Sequence, residues 1–176
     1  GKKFEKKSDG DYTWITYKEY DEHVSNFRSG LVKFANVGPG DRVIIYMGMV
    51  PEAAVAMLAC ARIGVAHSVI FGGFSPDAII DRCEDAEAKM IITADGGYRR
   101  GEPSALKINV DTALENGAQT VETVIVVNRC NLNINMNSER DFWWHDVMKD
   151  AVPVCNPEPM PAEQLLYLLY LSLIHI

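Results

Sequence analysis

No stretch of this sequence is apolar for long enough to cross a bilayer: the longest such run, at the C-terminal end, spans about ten residues where roughly 20 are needed. Behind the charged opening GKKFEKK there is no apolar segment of the kind a secretory leader carries, and the absence of an initiating Met points to an internal start. Cations are scarce, with 17 Lys and Arg against 24 Asp and Glu for a net charge of −7. That balance excludes a general nucleic-acid surface, which needs Lys and Arg clustered over a broad face, so any anion site has to be local. Cysteines number four, Cys60, Cys83, Cys130 and Cys155, with no C-x-x-C pair and no His at ligand spacing. No zinc or other metal site is expected from them, and free thiols in a reducing cytoplasm are. Internal repeats and low-complexity segments are also missing. What remains is ordinary globular composition, 48% apolar and 23% charged, in 176 residues. This is enough for one domain, or part of a larger one, with a sizeable core.

The order of elements is informative. YTWIT at 12–16 alternates as a strand, and Thr16 can cap a helix from Tyr17 to about Ala35, with Glu19 in its first turn. After the turn cluster VGPGD, RVIIYMGM at 42–49 is a β-branched run of the kind buried on both faces of a parallel sheet. Pro51 suits a first helical position, and the helix it opens is apolar all round, hence buried, until Gly64 stops it. The alternation then repeats. Strands are expected at 67–71, 89–94 and 123–127, and helices at Pro76–Ala86 and from about Ser104 to Glu115. A helix at 139–149, a Pro-rich connection and a last strand at 165–170 follow. Strands alternating with helices predict an α/β fold, a parallel sheet with flanking helices.

Ligands in such sheets bind at strand ends. Gly72 and Gly73, in IFGGFSPD, fall between a strand and a helix but lack both G-x-G-x-x-G and G-x-x-x-x-G-K-[ST]. They suit either a ligand contact or a turn that needs positive φ or close backbone approach. DGGYRRGE, after the next strand, offers Arg99 and Arg100, whose planar donor forks match phosphate oxygens. A solvated loop would read the same way. His145 and Asp146 are adjacent and expected to point roughly 100° apart on a helix, so a dyad is not expected. Trp143 and Trp144 read as packing anchors and His67 as structural. No catalytic residue stands out.

The stretch MVPEAAVAMLACARIGVAHSVIFGGFSPDAIIDR closely resembles the AMP-forming acetyl-CoA synthetases of the adenylate-forming acyl-CoA ligase superfamily. The resemblance continues through AKMIITADGGYRRGE, LKINVDTALE, VETVIVVNR and DFWWHDVM to MPAEQLLYLLY. Around residues 10–40 the sequence looks closer to the long-chain fatty acyl-CoA ligases, a sister branch; either two related ligases join near Gly40 to Val43 or one enzyme has diverged. The resemblance implies that residues 1–170 form an incomplete N-terminal portion of the large AMP-binding domain. It implies activation of acetate by ATP and Mg²⁺ to an acetyl-adenylate, then acetyl transfer to coenzyme A, in a cytoplasmic enzyme with no membrane or nucleic-acid partner. Propionate or a long-chain acid is the alternative substrate, and a non-catalytic nucleotide- or coenzyme A-binding module the alternative role.

Within the resemblance, Arg99, Arg100, Gly101 and Glu102 match a motif that binds the phosphorylated end of coenzyme A, and Arg99 is the strongest candidate. The fourth place is usually Lys or Arg, so Glu102 brings coenzyme A affinity into question. Gly72 and Gly73 match residues beside the channel for the pantetheine arm, where a glycine wall leaves room. The ATP phosphate loop, the acetate-binding residues, the Mg²⁺ carboxylate and the adenylating lysine are expected downstream of the 165–170 strand. Residues 171–176, LSLIHI, match the conceptual translation of a sequencing adapter and read as a non-native tail. This chain alone is therefore expected to lack ligase activity.

Overall fold

A computed structural model describes residues 2–6, 12–149, 151 and 156–170. A parallel sheet of six strands forms its centre, in the order β10(Tyr167–Leu168), β4(Ala66–Phe71), β3(Arg42–Met47), β5(Met90–Ala94), β8(Thr123–Val127) and β9(Asp141–Trp143). Every residue of β5 and β8 is buried, as is all of β3 after Arg42. These are the β-branched runs that a sheet covered on both faces requires. The chain moves from β3 to β4 on one side and then returns across β3 to β5, so the order reverses between β3 and β5.

Helices α1(Tyr17–Ala35), α2(Pro51–Arg62) and α5(Trp144–Lys149) pack together, and α3(Pro76–Ala86) packs with α4(Lys107–Asn116). Two hairpins lie outside the central sheet, β1(Lys2–Lys6) with β2(Tyr12–Ile15), and β6(Gly96–Arg99) with β7(Glu102–Ala105). Thr16 caps α1 as expected: its hydroxyl accepts from the Glu19 amide at 3.2 Å while the Glu19 carboxylate accepts from the Thr16 amide at 2.7 Å. Ser75 caps α3 without a reciprocal bond, its hydroxyl accepting from the Ala78 amide at 3.4 Å.

The helix α1 is seated deeply. Phe27 and Leu31 are fully buried, each contributing on the order of 2 kcal/mol, and the Phe27 ring stacks on Trp144 with centroids 3.7 Å apart. Gly30 makes the close approach possible, because a Cβ there would overlap Val147 Cγ1 and stand 3.2 Å from the Val147 carbonyl. Gly30→Ala is therefore expected to destabilise the chain by about 1–3 kcal/mol through overpacking, after the roughly 1 kcal/mol of helix propensity it gains. A urea titration monitored by tryptophan fluorescence measures this; a variant as stable as the parent would show that α1 and α5 can separate freely.

Several sequence expectations need correcting. The apolar α2 is not buried all round, since Leu58 is 47% exposed. Residues 139–149 are not one helix: the aromatic segment Asp141–Trp143 pairs with β8 as a strand, because its Asp141 carboxylate is held by the buried Lys107 and the partly buried Arg140, and the helix begins only at Trp144. Ser104 belongs to β7, and α4 begins at Lys107. Of the 165–170 run only Tyr167–Leu168 joins the ladder, while Leu165, Leu166 and Leu169 are half-exposed. His145 and Asp146 do approach, at 3.5 Å, but both are half-exposed and Asp146 is also bound by Lys149 at 3.0 Å. Residues 152–155, Cys155 among them, and the expected 171–176 tail lie outside the described residues. No described helix is long and apolar enough to cross a membrane.

Candidate functional site: a cleft at the strand ends

The C-terminal ends of β3, β4, β5 and β8 open onto a cleft of about 330 Å³, at the point where the strand order reverses. Ligands in open α/β sheets bind at that position. Phe71, Gly72, Gly73 and Leu106 form apolar wall, and Arg99 and Arg129 bring positive charge. A larger cavity of about 570 Å³ lies between α1, α2 and α5; Trp144 and His145 line it, but none of the six candidate binding residues does.

The structure brings three of the six candidates together. A Cβ built on Gly73 would stand 2.8 Å from the Phe71 ring and 3.6 Å from Arg99 Nη1, so glycine here keeps open the space beside the guanidinium. Gly72 runs close to the β3 exit, its Cβ direction 3.4 Å from the Met47 carbonyl carbon. Neither glycine has positive φ; of the two reasons offered by the sequence for a tight turn, only close backbone approach applies. The loop they belong to is held from beneath. Tyr46 is fully buried, and its hydroxyl donates to the Phe74 carbonyl at 2.8 Å while accepting from Asn109 Nδ2 at 3.1 Å. Burial pushes the Tyr46 phenol up, against a smaller opposing pull from Asn109, so the donor stays protonated.

The remaining candidates sit at the tip of the β6–β7 hairpin. Arg100 and Gly101 are its two turn residues, with φ of 54° and 88°, the left-handed pair that a two-residue hairpin loop demands. They do not line the cleft. Arg99 and Glu102 are ladder partners, so their side chains emerge on one face of the hairpin. Both are exposed, and no ion pair joins them. Among the described residues neither the Arg99 nor the Arg100 side chain has a hydrogen-bond or ion-pair partner.

Two contributors escaped the sequence reading. Asp95 closes β5 and is fully buried. Its Oδ1 accepts from the amides of Gly96, Arg129 and Cys130 at 2.7, 2.8 and 3.0 Å, and its Oδ2 from Leu132 at 2.9 Å. Its backbone carbonyl also accepts from the amide of Leu106, just before α4, at 3.1 Å. One residue thus joins the hairpin, the entry to α4 and the segment leaving β8. The second contributor is Arg129, which that segment carries to the cleft. Its position two residues past the β-branched run TVIVV, at a strand's C-terminal end, was the available signal.

A family model described as AMP-binding enzyme matches residues 3–172. The acetyl-coenzyme A synthetase of Streptomyces avermitilis is 52% identical over 163 residues, 93% of this chain and 25% of that protein. That of Halorhodospira halophila is 52% identical over 158 residues, 90% of this chain and 24% of that protein. An alignment of 163 residues leaves 13 of the 176 outside, so the first of these runs through Gly40 to Val43. Among solved structures, acetoacetyl-CoA synthetase from Streptomyces lividans superposes with a TM-score of 0.80 at 24% identity, over 91% of this chain and 24% of that one, a likeness of fold. The chain spans about a quarter of the length of the curated relatives it matches. With nearly its whole length matched by one family model, the chain belongs to the AMP-binding enzyme family.

Proposed function

We propose that this chain is the N-terminal portion of an AMP-forming acetate–CoA ligase, and that its cleft takes coenzyme A. One observation carries the reading: Gly72, Gly73 and Arg99, from the ends of separate strands, meet at one cleft whose walls are apolar and whose charge is positive. A slim pantetheine arm suits the glycine wall, and phosphate oxygens suit an exposed guanidinium without a partner. Acetate and ATP with Mg²⁺ complete the substrates, with no residue of this chain assigned to the metal. A carboxylate repels nucleophiles by its own charge, and adenylation replaces that charge with a leaving group. The thiol of coenzyme A then attacks the acyl carbon and AMP departs. Within this chain, Arg99 binds and orients the phosphorylated end, and Gly73 leaves room for the arm. The cytoplasm is the proposed setting.

The test uses the enzyme translated from its full reading frame, assayed for acetate-dependent AMP release and acetyl-CoA formation. Arg99→Ala is expected to raise the KM for coenzyme A about tenfold, the loss of one charge-assisted contact, and to leave acetate-dependent exchange of pyrophosphate into ATP within about twofold. No acetate-dependent AMP release, or an unchanged KM in the variant, would overturn the reading.

A further inference from the structure

The charged residues among those lining the cleft are both arginines, Arg99 at the end of β6 and Arg129 in the segment leaving β8, and both are exposed. Their surroundings differ. Arg99 shares its face of the hairpin with Glu102, whose carboxylate repels any phosphate brought to that spot. Arg129 stands on a backbone fixed by Asp95, which accepts from the Arg129 amide itself at 2.8 Å and from Leu132 at 2.9 Å. The Asp95 charge is fully buried and faces the amides of Gly96, Arg129, Cys130 and Leu132 rather than the cleft. Counting Arg99 and Arg129 against Glu102, the cleft stays positive in a chain of net charge −7. Such a local excess concentrates an anion where the rest of the surface repels it.

The geometry points to Arg129 as a second phosphate-binding residue of the cleft, which holds the phosphorylated end of coenzyme A together with Arg99 and offsets the charge of Glu102. The ligand's chemistry fits two cations from separate segments, since coenzyme A carries a diphosphate and a phosphomonoester on either side of one ribose. The inference rests on the coenzyme A reading of the cleft given above. It makes Glu102 a brake on affinity and Arg129 what lets binding persist in spite of it.

The experiment is calorimetric titration of the 176-residue chain with coenzyme A and with dephospho-coenzyme A, at two salt concentrations. The parent is compared with Arg129→Gln, Arg129→Lys, Arg99→Gln and Glu102→Gln. Arg129→Gln is expected to weaken coenzyme A binding about tenfold and to reduce its salt dependence, as losing one charged contact requires. Arg129→Lys should retain more affinity than Arg129→Gln, and Glu102→Gln should tighten binding. If the Arg129→Gln effect vanishes with dephospho-coenzyme A, Arg129 holds the phosphomonoester; if it persists, Arg129 holds the diphosphate. Binding by Arg129→Gln within twofold of the parent, while Arg99→Gln loses affinity, would overturn the inference and leave the coenzyme A reading standing. A parent chain that binds no coenzyme A, yet unfolds cooperatively on heating, would overturn both.

Discussion

Lys107→Met is expected to destabilise the chain by about 3–5 kcal/mol, a large share of the roughly 5–15 kcal/mol available to a domain. The Lys107 side chain is fully buried, and its ammonium contacts Asp111 at 2.6 Å, Asp141 at 2.8 Å and the Asn135 carbonyl at 3.1 Å. Arg140 completes the cluster, reaching Asp141 at 2.7 Å and Asp111 at 3.2 Å. Two cations and two carboxylates balance, and the group ties α4 to β9. Methionine conserves most of the volume but leaves the buried Asp141 with Arg140 as its one cation, beside the Asn137 amide. The loss comes from that uncompensated charge rather than from packing, so adding Asp141→Asn to Lys107→Met should recover part of it. Urea titrations of the parent, both single variants and the double variant give the coupling directly; simple additivity would show that the pair does not act as a unit.

The same cluster sets an acid limit. Burial alone would push Asp141 up, but hydrogen bonds from Arg140, Lys107 and the Asn137 amide outweigh it and hold the carboxyl below its ordinary value of 3.8. A folded-state value lower than the unfolded one means that the folded chain binds this proton less readily. The stability Asp141 contributes is therefore fully present above about pH 3.8 and is lost as pH falls through the lowered folded value. In Lys107→Met that loss begins at higher pH, which acid titrations of the two proteins would reveal.

The second large effect belongs to Asp95. Asp95→Ala strands four amides that now share one carboxylate. Hydrogen bonds to a charged group contribute about 1.5–3 kcal/mol each, and water reaching the partly exposed Arg129 segment returns some of that, so a net loss of about 3 kcal/mol is expected. Asp95→Asn is no remedy, because its NH₂ would turn donors toward donors. Amide hydrogen exchange should show Arg129, Cys130 and Leu132 losing protection in either variant even where the rest of the sheet keeps it. Retained protection there would show that Asp95 is dispensable to the cleft.

The sheet was legible wherever local chemistry and burial agree. The runs at 42–47, 90–94 and 123–127 are β-branched and apolar because both faces are covered, and α1 and α3 begin at residues whose side chains cap them. Three residues of β9 were illegible because what makes them a strand is far off in sequence: Asp141 is drawn to Lys107, which belongs to another element. The β6–β7 hairpin hid behind a Gly-Gly start, a Pro at 103 and an Arg where such turns prefer Asn or Asp. At the site, Arg99, Gly72 and Gly73 could be picked out because their residue types advertise a role. Asp95 and Arg129 could not, since one acts through backbone amides and the other depends on the first for its place.

That dependence has an order in time. The bonds from Asp95 to Arg129, Cys130 and Leu132 span 34, 35 and 37 residues, so none can form until β8 has docked beside β5. A nascent chain that has left the ribosome only as far as β7 already carries its arginine-tipped hairpin, yet it lacks Arg129 and the amides beyond β8 that bind Asp95. The second arginine of the cleft and the Asp95 bonds that fix its backbone arrive together, with the segment that follows β8.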